Sequence, residues 1–266
     1  MCHLAGNFKK KARCINGLEN WYKYRDDLWK KVTIYNPKTY IEPQRFDHEK
    51  NDCKTSDNIR RSQRMIEAYA LCNDWSFFVT CTLDPKKYDR TDLDKFRSDF
   101  MQFVRDMRKK YSCSFHAVFV PELHKSLDGW HMHGLVSGLP LDALRAFTLR
   151  ERLPKYIRDK VSKGEPVFDF PDYRKKFGWV DVEPVKQRDA AARYITKYIT
   201  KEQGTVTAKH IDLQKHLYYV TRGLQLPEKV ESPPGCYPEG LPEDFLCENF
   251  YEFEYGAVHW YSPSDK

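Results

Sequence analysis

The sequence predicts an α+β fold, with a central antiparallel sheet and flanking helices. Three observations carry that prediction. Runs rich in β-formers alternate with helical segments in the order strand, helix, hairpin, helix, strand, helix. Two of the runs are separated by Asp128-Gly129, which is turn chemistry for a hairpin. The clearest helical segments each carry one apolar stripe, as helices laid on a sheet do.

Taken in order, residues 1–54 read as an irregular arm that mixes basic clusters with Trp21, Tyr22, Tyr24 and Trp29. A helix is expected over 55–73, with Arg60, Arg61 and Arg64 outside. Residues 75–83 form a strand that ends at Asp84-Pro85. Thr91 is placed to cap the next helix, 91–111. Its stripe of Leu93, Phe96, Phe100, Phe103, Val104 and Met107 would pack on the sheet. Residues 115–122 and 130–136 are the hairpin strands. Helical sequence follows from 141 to about 160, then a strand over 177–185 and a helix over 188–202 that neither Gly nor Pro interrupts. Residues 217–221 suit a last strand. The helices are expected largely on one face. Five prolines and two glycines between 227 and 242 read as a linker, and 245–261 as an aromatic, acidic tail. The expected organisation is therefore 1–73, a basic arm and helix; 74–226, the densely structured body; and 227–266, linker and tail.

Composition narrows the class. The chain has 266 residues, no apolar run long enough to span a bilayer, and 15% aromatic residues. An integral membrane protein is excluded, and the aromatic content argues against wholesale disorder. Residues from 227 on hold two basic and nine acidic residues, which leaves the rest at +14 against +7 for the whole. A basic body points to a polyanionic partner. The eight cysteines form no C-x-x-C pair, and the N-terminus has no apolar signal segment. A reducing cytoplasm without disulfides is the expected setting.

The chemistry concentrates in two places. His131 and His133 alternate with Met132 in a strand, so the two imidazoles share a face. The hairpin brings Glu122 across from them. Two imidazoles and a carboxylate suit a divalent ion with open positions. His124 has the parity of Glu122, but an exposed turn position is its plainer role. The second place is the doubled Tyr-Ile-Thr-Lys of 194–201. On a helical wheel Tyr194, Tyr198, Lys197 and Lys201 share one face, beside a core stripe of Ala191, Ala192, Ile195 and Ile199. A phenol beside a cation is a candidate nucleophile, because the cation favours the phenolate.

Val120-Pro-Glu-Leu-His124, then Trp130-His-Met-His-Gly134, then Tyr194-x-x-Lys-Tyr198-x-x-Lys201 resemble, in that order, the HUH endonucleases. The likeness is greatest to rolling-circle replication initiators of bacterial mobile elements and single-stranded DNA phages. Residues 77–83 resemble that family's first strand motif. The resemblance covers roughly residues 74–222. It implies an HUH (RRM-like) sheet with the histidines on a central strand and the tyrosine helix against them. It also implies a divalent cation, Mg or Mn, at Glu122, His131 and His133. Tyr198 and Tyr194 would be nucleophiles, Tyr198 the first choice and the order of cleavage left open, assisted by Lys197 and Lys201, while Thr80, Thr82 and Arg193 would contact nucleic acid. The substrate implied is single-stranded origin DNA, nicked through a 5′-phosphotyrosine in the cytoplasm of a bacterial host. No G-x-x-x-x-G-K-[ST] is present, so a host helicase and polymerase are expected partners. The rival readings are a single-tyrosine transposase and a non-catalytic single-strand binding module. For the tail, two roles are open: a strand or cap that completes a core, or a segment that competes with DNA.

Overall fold

The computed structural model describes residues 18–35, 56–124, 129–200, 216–253 and 256–264. It is α+β, with two antiparallel sheets and several helices. The chain divides into two compact units: Met1–His48 with Pro227–Lys266, and Glu49–Leu226.

The larger unit holds a seven-stranded sheet. Its strands are β3 (Phe77–Thr82), β4 (His116–Leu123), β5 (Trp130–Ser137), β6 (Arg145–Ala146), β7 (Phe168–Asp169), β8 (Val180–Pro184) and β9 (Tyr219–Val220). Their order is β6-β7-β8-β3-β5-β4-β9, and every pair is antiparallel. The helices are α1 (Ser56–Cys72), α2 (Leu93–Lys110), α3 (Lys155–Ser162), α4 (Pro171–Lys176) and α5 (Arg188–Thr200).

They cover both faces of the sheet, not largely one. α2 buries the apolar stripe read from its sequence, and Phe96, Phe100 and Phe103 interlock with Phe119, Tyr173 and Phe177. Burying each such ring contributes about 1.5–3 kcal/mol. α5 packs on the other face and against α1. Alternation along the strands explains the division: Phe119 points to α2, whereas its neighbour Val120 lies opposite His133.

Local chemistry explains the remaining differences from expectation. Asp92, not Thr91, caps α2, its side chain accepting the Lys95 N–H. The helix expected over 141–160 is confined to α3. A residue before proline is pushed out of the helical region, so Leu153 cannot continue one and the helix starts after Pro154. Upstream lie a single 3-10 turn, Leu141–Ala143, and the short β6. α4 is an added helix, opened by Pro171 at its first turn. It delivers Tyr173 and Phe177 to the ring cluster, and β8, expected from 177, starts only at Val180.

Gly134 has a packing reason. A Cβ there would stand 2.3 Å from ring atoms of Phe119, which is itself held edge-on to Phe100 at 4.6 Å between centroids. Gly134→Ala should therefore cost about 1–3 kcal/mol by overpacking. A fall in the urea midpoint at constant slope is the expected readout.

The smaller unit revises the reading of both flanks. The described residues of the arm are not irregular: β1 (Leu18–Arg25) and β2 (Leu28–Ile34) form a hairpin. β10 (Glu228–Val230) lies within the expected linker, and β11 (Phe245–Phe253) and β12 (Gly256–Pro263) form a second hairpin. All five make one sheet, ordered β10-β1-β2-β12-β11. Trp21, Trp29 and Tyr261 are its core, with Val230, Leu241 and Phe245 packed against them. The tail thus completes a core, the plainer of its two expected roles. α1, grouped with the arm from sequence, belongs to the larger unit.

No described helix is long and apolar enough to cross a membrane. All five described cysteines are free.

Candidate active site

The site lies on the α5 face of the seven-stranded sheet, where three central strands present polar residues in register. Glu122 on β4 faces His131 on β5, which faces Thr82 on β3. One step along, His133 faces Thr80, which faces Asp181 on β8. The alternation that buries Met132 and Cys81 on the α2 side sends these residues to the other.

His133 Nε2–H donates to Glu122 Oε2 at 2.8 Å. Its other ring nitrogen, Nδ1, is buried and has no hydrogen-bond partner among the described residues. His131 Nδ1 pairs with Thr82 Oγ1 at 3.0 Å. Thr82, expected to touch nucleic acid, is thereby engaged in orienting an imidazole. Burial, then the neighbouring His133 and His124, lowers the His131 pKa to about 4, so its ring is neutral at physiological pH. The His124 ring stacks on His131 at 5.4 Å.

The donor set of two imidazoles and one carboxylate fits a divalent cation in kind. Glu122 and His133 already meet, and Thr82 anchors one nitrogen of His131, as outer partners of metal-binding histidines do. Among the described residues, no three His, Cys, Asp or Glu side chains stand together as a ready-made metal cluster.

α5 brings the phenols to the same place. Ala192, Ile195 and Ile199 are buried, as the wheel predicts, whereas Ala191 of the expected stripe is half-buried; this turns Tyr194 and Tyr198 toward β3 and β5. The Tyr198 ring lies flat on His133, 3.7 Å between centroids with 9° between planes. Its hydroxyl donates to the Tyr194 hydroxyl at 3.0 Å. Phe78 on β3 supports both, with its centroid 4.8 Å from that of Tyr194 and 6.3 Å from that of Tyr198.

Lys197 is exposed, and its Nζ lies 5.9 Å from the Tyr194 ring centroid. Burial dominates at Tyr198 and pushes its phenol well up, reinforced by the Tyr194 hydroxyl and the Glu122 charge. Arg193 is exposed on α5, and Thr80 lines the cavity described next. Lys201 lies outside the described residues.

Beside the tyrosines opens a cavity of about 770 Å³, lined by Phe78, Thr80, His133, Tyr194 and Tyr198 on one side. Asp181, Glu183, Tyr156 and Lys160 also line it, and sequence reasoning missed them. Asp181 is buried and accepts from Tyr156 OH at 2.8 Å and Trp179 Nε1 at 3.3 Å. Its burial raises the carboxyl pKa. Glu183 pairs with Lys160. A lone Asp inside the apolar strand Val180-Asp-Val182 was the available signal, since a buried carboxylate demands partners.

Residues 76–203 match the model of a family described as Replication-associated protein ORF2. The match runs from β3 to just past α5 and so spans every residue of the site. That family is named for an association with replication. Comparisons with curated proteins and with solved structures find no significant match.

Proposed function

We propose that the chain is an HUH-type endonuclease that nicks and rejoins single-stranded origin DNA to start rolling-circle replication. The observation that carries this reading is the stacking of Tyr198 on His133, with His133 bonded to Glu122 and the two phenol hydroxyls in contact. A non-catalytic binding module has no need of that convergence.

Tyr198 is the first nucleophile. Its phenol oxygen forms a bond to phosphorus, and the bond from phosphorus to the 3′ oxygen breaks. The proton lost by the phenol balances the one gained by the departing 3′ oxygen. The 5′ end remains on the protein as a phosphotyrosine, and the free 3′-OH serves a polymerase. Tyr194 accepts the strand in the second transfer. Burial holds the Tyr198 phenol pKa up, so its proton leaves as the bond to phosphorus forms. Glu122, His133 and His131 would hold Mg or Mn, which when bound polarises a phosphoryl oxygen. Lys197 and, from sequence, Lys201 would meet the phosphate backbone. The host supplies helicase and polymerase.

The reading is tested by incubating the full chain with a pool of single-stranded oligonucleotides and Mn. Cleavage at one sequence, with the new 5′ end bound to protein, is expected; absence of cleavage across the pool contradicts the proposal. Thr82→Val should leave the fold intact and release His131 Nδ1. Loss of such an outer partner typically costs about 10–100-fold in metal affinity, here to be read by Mn titration.

A further inference from the structure

The five-stranded sheet carries a surface that the proposed function does not use. Its register sorts residues by face. Tyr22 lies opposite Lys30 and Lys229, and Lys30 lies opposite Trp260. One step along the same face, Val32 lies opposite Val258, which lies opposite Tyr251. Tyr24, at the β1 bulge, joins this face: its ring centroid is 5.1 Å from that of Trp260. Lys30 Nζ sits 4.4 Å from the Trp260 ring centroid and 5.8 Å from that of Tyr24. Tyr251 and Phe253 stack side by side at 6.3 Å.

Three of the acids go the other way. Glu19 lies opposite Thr33, Glu252 opposite Ala257 and Glu228 opposite Lys23, all on the face of Trp21 and Trp29. In sequence the tail interleaves carboxylates with rings. Strand alternation sends Tyr251 and Phe253 to the face of Lys30 and Trp260 and places these three carboxylates, with Phe250, on its reverse. Tyr22, Tyr24, Lys30 and Trp260 are half-buried and Tyr251 is exposed.

We propose that this face is a second binding surface for single-stranded DNA. Rings on an open sheet offer stacking platforms for successive bases, whatever their identity, and ammonium groups among them meet the phosphates. The charge at these register positions is complementary, since they carry Lys30 and Lys229, whereas Glu19, Glu228 and Glu252 lie on the reverse. The inference rests on the reading of the chain as one that handles single-stranded DNA, but it uses none of the residues of the tyrosine site.

The test uses the full chain, without metal so that no cleavage occurs, and a thymidine oligonucleotide of about twenty residues, longer than one stacking platform needs. Ultraviolet crosslinking with peptide mass spectrometry should place adducts on Tyr22, Tyr24 or Trp260. Adducts confined to residues 76–203 would overturn this proposal and leave the tyrosine-site reading standing. No binding of any single strand would overturn both.

Trp260→Ala should weaken binding about tenfold, as loss of a stacking ring does, with nicking at saturating origin DNA unchanged. Should Trp260→Ala fail to fold, Lys30→Gln decides the question. It should flatten the dependence of log affinity on log salt by about 0.7, the share of one phosphate contact on a single strand. An unchanged slope counts against the surface.

Discussion

Tyr198→Phe should abolish the first nick, with a loss on the order of a thousandfold or more, because removing a nucleophile removes the reaction path itself. The ring that stacks on His133 is retained, and only the hydroxyl that donates to Tyr194 is lost. The stability change should therefore stay near one hydrogen bond, about 1 kcal/mol, which separates a chemical effect from unfolding. Tyr194→Phe should behave differently. The first nick should remain within about threefold, since the proposed role of Tyr194 is in the second transfer, while coupled cleavage and joining is lost. Single-turnover nicking and a strand-transfer assay on the same oligonucleotide distinguish the two variants. A Tyr198→Phe protein that nicks at the normal rate would mean that the doubled motif is used in the other order or not at all.

Glu122→Gln is the second large effect. It keeps the shape of the side chain and a hydrogen bond to His133 Nε2, but removes the charge that a divalent ion requires. Cleavage should fall by on the order of a hundredfold or more, as loss of a charged ligand implies, and extra Mn should restore only part of it. Single-stranded DNA affinity without metal should change little. His133→Ala should also abolish cleavage, yet it removes the surface on which Tyr198 rests and mixes two causes. A filter-binding curve beside the cleavage rate checks both variants. Equal losses of binding and cleavage would place Glu122 in DNA contact or in folding.

What could be read from the sequence is what local periodicity determines. Two-residue alternation places His131 and His133 on one face, and the hairpin brings Glu122 opposite His131, as the register shows. The period of 3.6 separates Ala192, Ile195 and Ile199 from Tyr194 and Tyr198 on α5. Long-range pairing was not legible. β2 joins β12 across more than two hundred residues, and neither partner's sequence names the other. The prolines of 227–242 suggested a linker, although β10 lies among them on the sheet edge. The cavity beside Asp181 also depends on tertiary neighbours, because Tyr156 and Trp179 arrive from α3 and the approach to β8. Solvation was the least accessible of all. The lysine spacing around Tyr198 suggested an easily ionised phenol, whereas burial against His133 pushes its pKa upward.

The most direct test of the account is to map the covalent adduct after reaction of the full chain with cleavable single-stranded DNA and Mn. Nuclease digestion followed by peptide mass spectrometry should find a 5′-phosphonucleotide on Tyr198, with a second on Tyr194 only once strand transfer is allowed. DNA cleaved with no adduct on either tyrosine would contradict the mechanism at its centre.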